Sequence, residues 1–206
     1  MGRRGMIALA GLAALAAACL DHPANADLAA DGAPADGAAW DAPAARQLFV
    51  NTDFEQGPDG WQVSGTAGIG ESSDFGVTVT AFSGDRFAQV GHRNGLSNGI
   101  SQRVTVPAWA TALRLTGQRC FVTENSSTSD DQLTVSLLSP EGNTLEVLYM
   151  VSNRDVAGVC DWSAFEFTSA DSHAGEEIDV RLWAVLDGSD VTTFWFDDVT
   201  LVAGAD

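Results

Sequence analysis

From Gln47 onward, apolar and polar residues alternate in short runs, and Gly, Asn, Asp, Ser or Pro separates one run from the next. Eleven such runs can be read: 47–50, 61–65, 76–81, 87–91, 100–106, 112–122, 132–139, 144–151, 163–169, 177–186 and 193–202. Each is four to eleven residues long and rich in Val, Leu, Ile, Phe, Trp or Thr, as strands require. Turn signals such as PEGN at 140–143 and LDGSD at 186–190 lie between them. No stretch sustains a helical period. The pattern predicts an all-β fold, a two-sheet β-sandwich of jelly-roll type. No internal repeat is visible.

Alternation also assigns faces, because successive strand residues point to opposite sides of a sheet. In 177–186, Ile178, Val180, Leu182 and Ala184 form one face, and Asp179, Arg181 and Trp183 the other. In 112–118, Leu113 and Leu115 face in, whereas Arg114, Thr116 and Gln118 face out. In 132–137, Leu133, Val135 and Leu137 face in, whereas Gln132, Thr134 and Ser136 face out. One sheet face is thereby expected to present Arg114, Gln118, Gln132, Arg181 and Trp183. Hydrogen-bonding side chains beside an indole ring are the ingredients of a sugar platform; an ordinary solvated face with one partly covered Trp is the alternative. Trp61, Trp162 and Tyr149 are expected in the core, the last with Leu145, Val147 and Val151.

The N-terminus follows other rules. Residues 1–5, MGRRG, carry two positive charges, and residues 6–20 are an apolar run of fifteen. That is shorter than the ~20 residues a membrane-spanning helix needs and has the form of a secretory signal. Two processing sites compete. LAAAC resembles a bacterial lipobox, which makes residues 1–18 the signal peptide and Cys19 the lipidated residue. ANA at 24–26 suits an ordinary signal peptidase cutting after Ala26. Either way the mature chain is expected to be exported to the cell envelope, lipid-anchored to a membrane in the first case and secreted or periplasmic in the second. Residues 19–46 are Ala, Asp, Pro and Gly with little else, too few bulky apolar groups to offset chain entropy, and read as a disordered tether before a domain at 47–206.

Export changes the reading of the cysteines. Beyond Cys19 the chain has two, Cys120 and Cys160, an even pair in an oxidising compartment, and a disulfide is expected between them. It would bring the polar loops at 123–131 and 152–161 together at one end of the sandwich, a second candidate binding site. The net charge is −18 and all ten basic residues are Arg. No basic block is present, which argues against nucleic acid and against electrostatic docking to anionic lipid, so any membrane contact would run through the N-terminal lipid.

Within the strand at 193–202, two adjacent carboxylates, Asp197 and Asp198, interrupt an apolar run. Both can leave the core face only if the strand bulges there. Two such groups would repel and would be costly to desolvate, problems that a cation removes. Hydrated carboxylates at a sheet edge are the alternative.

Several segments resemble a known family in the right order. NTDFEQGPDGW at 51–61 resembles the N-x-x-F-E-x-G…W opening of galactose-binding-like jelly rolls. Among them are carbohydrate-binding modules of the family 4/9/22 type and the β-sandwich of immune-inhibitor-A-like secreted peptidases. FSGDRFAQVG at 82–91, ISQRVTVPAWATALRLTG at 100–117, DDQLTVSLL at 130–138 and the closing FWFDDVTLV are similar to later segments of that family. The resemblance implies a structural calcium held by Glu55 and Asp197 with backbone carbonyls, with Asp198, and Asp85 through its carbonyl, as weaker contributors.

No phosphate loop or HExxH is present, and no enzyme is predicted. The expected activity is non-catalytic binding of a glycan or polysaccharide. A structural or adhesion lipoprotein that contacts protein, and an accessory domain working beside a secreted hydrolase, are the alternatives.

Overall fold

The computed structural model describes residues 44–124, 131–156 and 159–204. The signal peptide, Cys19, Ala26, most of the tether and Trp40 lie outside the described residues, as do parts of both polar loops.

Eleven strands are described: β1 (Arg46–Gln47), β2 (Gln62–Ser64), β3 (Gly68–Gly70), β4 (Phe87–Gly91), β5 (Ser97–Thr105), β6 (Ala112–Thr123), β7 (Gln132–Leu138), β8 (Thr144–Ser152), β9 (Ser163–Thr168), β10 (Glu177–Val185) and β11 (Thr192–Gly204). They form two antiparallel sheets. Sheet I runs β3-β4-β11-β6-β9, with β1 also paired to β11; sheet II runs β2-β5-β10-β7-β8. Arg46, expected in the tether, is already part of β1. The run at 76–81, expected as a strand, joins no ladder, and β3 was not anticipated.

The core lies between the sheets. Sheet I contributes Leu113 and Leu115 from β6 and Phe194, Phe196 and Leu201 from β11; sheet II contributes Leu133, Val135 and Leu137 from β7 and Ile178, Val180 and Leu182 from β10. Full burial of each such side chain stabilises the fold by roughly 1.5–3 kcal/mol. The opening motif closes one end. Phe54 and Phe49 pack edge-on or tilted against Trp61, ring centroids 5.2 and 5.0 Å away. Asn51 organises the turn beneath them: its amide donates to the carbonyls of Gly57 (2.8 Å) and Asp59 (2.9 Å) and accepts from Gln56 N–H (3.1 Å).

The outer side of sheet I carries a second, smaller core. Phe75, Val77, Val79 and Ala81 alternate toward Phe87, Cys120 and Trp195, so the unpaired segment behaves as a flap with an apolar underside. A four-residue helix, α1 (Ser72–Phe75), starts the flap. The expected disulfide, Cys120–Cys160, is present with Cα atoms 5.2 Å apart and ties β6 to the segment before β9. A bridge closing a loop of 40 residues contributes roughly 3–4 kcal/mol in the chain-entropy model. Trp162, expected in the main core, packs here instead, partly buried, with its Nε1 donating to the Thr80 carbonyl at 2.9 Å.

Candidate functional site

The predicted ligand residues separate onto two sheets. Arg114 and Gln118 lie on β6 in sheet I, and Gln132, Arg181 and Trp183 on β7 and β10 in sheet II. Each set leaves the core face as alternation requires, but the faces belong to opposite sides of the sandwich. A platform that joins all five is therefore excluded. The reason is topological: alternation gives inside and outside for one strand, and nothing in it says which sheet a strand enters.

On sheet II the register aligns a continuous surface. One file runs Ser64–Gly99–Trp183–Thr134–Met150 across all five strands. The next runs Gln62–Ser101–Arg181–Ser136–Val147. Gln132 sits beside Trp183's file, paired with Val185. Trp183 and Arg181 are thus surrounded mostly by small residues on one side and by exposed Val147 and Met150 on the other. Gly99 matters to this geometry: a Cβ there would come within 2.8 Å of Trp183 Cε3, so the indole lies directly over the glycine backbone. The Arg181 guanidinium stands 5.1 Å from the indole centroid, within cation–π range.

Two polar atoms on this face are buried and unpartnered, Arg181 Nε and Ser136 Oγ, on residues directly opposite each other in the ladder. Leaving such a group unsatisfied costs roughly 1–3 kcal/mol. The neighbouring acid on β10, Asp179, is occupied by Arg103, which donates to its two oxygens at 2.9 and 2.7 Å.

Val147 and Leu145 were expected in the core beside Tyr149. They are instead 48% and 42% exposed. The β7–β8 register shifts between Val135 and Ser136, where Leu148 is the extra residue of a bulge. Tyr149 and Val151 stay inside, while Val147 moves to the outer face. Met150, Val147 and Gly99 complete the sheet II surface and were missed. Of the three, Gly99 falls just before the run read at 100–106, and the structure extends that strand back to Ser97.

The acidic pair occupies a bulge as well, between Asp197 and Thr200 in the β11–β6 register. Core-facing positions on β11 are even up to Phe196 and odd from Val199 onward. Asp197 and Asp198 fill the step, and Asp198 takes the left-handed φ of 49°. Asp197 is fully buried. Its Oδ2 accepts from the N–H groups of Phe82 (2.9 Å) and Ser83 (3.0 Å), and its Oδ1 from Asp198 N–H (2.8 Å). Burial, set against these amide bonds, pushes its pKa up to about 6. Asp198 Oδ1 accepts from Ser83 Oγ at 2.8 Å. Glu55 grips the same loop from the opening segment: its Oε1 accepts from Asp85 and Arg86 N–H at 2.9 and 2.8 Å. Gly84, at φ +59°, lets the loop pass, since a Cβ there would strike the Glu55 carboxylate.

Among the described residues no three His, Cys, Asp or Glu side chains gather as a metal cluster. The donor chemistry nevertheless fits a hard cation. Asp197 Oδ1 accepts one hydrogen bond and Glu55 Oε2 none among the described residues, so each carboxylate keeps a lone pair. Among the described residues no cationic side chain pairs with Asp197. Carbonyls and water would have to complete a calcium shell.

No protein-family model matches the sequence, and no curated protein does. Solved structures do. A family 61 carbohydrate-binding module, TmCBM61, solved in complex with β-1,4-galactotriose, superposes with a TM-score of 0.54 at 19% identity over 77% of this chain and 99% of that one. The fold is a galactose-binding-like jelly roll. The same jelly roll matches the Stig cyclase FisC from Fischerella sp. TAU, bound to (3Z)-3-(1-methyl-2-pyrrolidinylidene)-3H-indole, with a TM-score of 0.51 at 17% identity over 79% of this chain and 100% of that one. At these identities the likeness concerns the fold, which hosts unrelated functions.

Proposed function

We propose that this protein is a non-catalytic glycan-binding module whose sugar site is the outer face of sheet II. One observation carries the reading: Trp183 lies over Gly99 with Arg181 beside it, in files of small and hydroxyl-bearing residues that end in Val147 and Met150. An aromatic surface supplies apolar contact for a sugar ring, and the Arg and hydroxyl groups supply directional hydrogen bonds. The fold neighbour bound to β-1,4-galactotriose is consistent with this class of ligand. The carboxyl with the raised pKa, Asp197, faces backbone amides in a buried bulge and is not presented to a substrate.

The reading extends to a structural calcium, held by Glu55 and Asp197 with Asp198 beside them, that would neutralise the buried carboxylate and tie the opening segment to β11. It also extends to an exported chain, anchored through Cys19.

Affinity electrophoresis against a polysaccharide panel that includes galactan tests the sugar site. Retardation on at least one polysaccharide is expected, with at least a tenfold loss in Trp183→Ala. Absence of binding to the whole panel, or full binding by Trp183→Ala, overturns the assignment.

A further inference from the structure

Within the sheet II site, resting on the glycan reading above, we infer that Arg181 is reserved for a carboxylate on the sugar, so that the preferred ligand carries isolated hexuronic acid units among neutral sugars. Two arginines of this chain are drawn to acidic partners. Arg103 is shared between Asp179 and Glu177, and Arg86 pairs with Glu71. Arg181 makes no ion pair and no hydrogen bond among the described residues, although Asp179 is two positions away on the same strand face. Asp179 is drawn off by Arg103. What remains beside Arg181 is apolar or hydroxylic: Trp183, Ser101, Ser136 and Val147.

Ser136 supplies the second observation. Ser136 is 2% exposed, and its Oγ has no partner among the described residues. It lies opposite Arg181 in the ladder, where the Arg181 Nε is likewise buried and unpartnered. A carboxylate bound here would accept from the guanidinium fork, in the charge-assisted geometry Arg provides best, and from the Ser136 hydroxyl. A neutral hydroxyl would satisfy one of these donors and leave the guanidinium charge without a counterion.

The charge of the whole chain limits how acidic the ligand can be. A net charge of −18 opposes a polyanion along its length. At physiological ionic strength the screening length is about 8 Å, so a single carboxylate in contact with Arg181 responds to its immediate partner more than to distant acids. Sparse acid on a neutral chain satisfies both conditions.

Matched oligosaccharides test this, each in a neutral form and in a form bearing one hexuronic acid, with polygalacturonate and an aspartate-rich peptide as further probes of the purified protein by titration calorimetry. The acid-bearing member of a pair is expected to bind about tenfold more tightly than its neutral parent. Arg181→Gln should reduce that ratio to about one, Arg181→Lys should keep part of it, and Ser136→Ala should lower it. The ratio is read within each variant, so a general loss of folded protein does not imitate the effect. Equal affinity for the two members of every pair, or a ratio unchanged in Arg181→Gln, overturns the inference and leaves the glycan reading standing. Binding to none of the sugars overturns both, as does Arg181-dependent capture of the peptide alone. Tightest binding to polygalacturonate overturns the requirement for sparse acid.

Discussion

Asp197 is fully buried, yet among the described residues it makes three bonds to backbone amides and none to a cationic side chain. Its pKa in the folded protein, about 6, lies above the ordinary 3.8, chiefly because burial disfavours the charged form. Between those two values the folded state binds more protons at this site than the unfolded state does. Stability in metal-free buffer is therefore expected to fall as pH rises from about 4 to about 6, and to level off above, by about 2 to 3 kcal/mol from this group. A bound calcium ion would reverse the sign: it would favour the carboxylate, place its folded pKa below the unfolded one, and make stability rise with pH across the acidic range. Urea unfolding from pH 4 to 7, with EDTA and with excess calcium, separates the cases, and Asp197→Asn should remove most of the difference between them. Coincident curves with and without calcium would remove the metal from the account and leave a carboxylate–amide clamp.

Bulges and edges explain at the scale of the element what alternation predicted and what it missed. Without a bulge it worked: Leu113 and Leu115 on β6, Leu133 to Leu137 on β7 and Ile178 to Ala184 on β10 all face the core as read. With a bulge it failed by one residue, which is a whole face. Val147 left the predicted core because Leu148 is the extra residue, and the acidic pair on β11 was legible as a bulge because two charges cannot alternate into a core. Sheet membership was not legible, which is why Arg114 and Gln118 were joined to a site on the opposite sheet. The flap at 76–81 alternates well enough to pass for a strand, but its apolar side packs down on Trp195 and Cys120 and its backbone joins no ladder among the described residues. On sheet II, Gly99 sets how low Trp183 lies. A Cβ there would collide with the Leu182 carbonyl and press on Cε3 of the indole. Gly99→Ala is therefore expected to lift Trp183, lower the melting temperature by several degrees and weaken glycan binding by more than the stability loss accounts for. Unchanged binding and an unchanged near-ultraviolet signal from tryptophan would show that the glycine is dispensable.

At the scale of the molecule, chain organisation and chemistry have to agree. The sandwich buries its own core and adds a disulfide, which suits an oxidising compartment outside the cytoplasm. A net charge of −18 opposes close approach to other anionic surfaces. What such a module needs besides a ligand is a place to act, and the sequence offers Cys19 after an apolar run of signal length, followed by a segment of Ala, Asp, Pro and Gly. A single lipid chain binds membranes only weakly, whereas several chains on one cysteine hold the protein firmly. If Cys19 is the processed residue, the protein should partition into the membrane fraction and incorporate labelled fatty acid, and Cys19→Ser should release it to the soluble fraction with its disulfide and melting temperature unchanged. If processing instead follows Ala26, Cys19→Ser changes nothing in partitioning, and the mature N-terminus read by mass spectrometry begins at Asp27. That outcome would turn a tethered glycan receptor into a diffusing one, with the sheet II site unaltered.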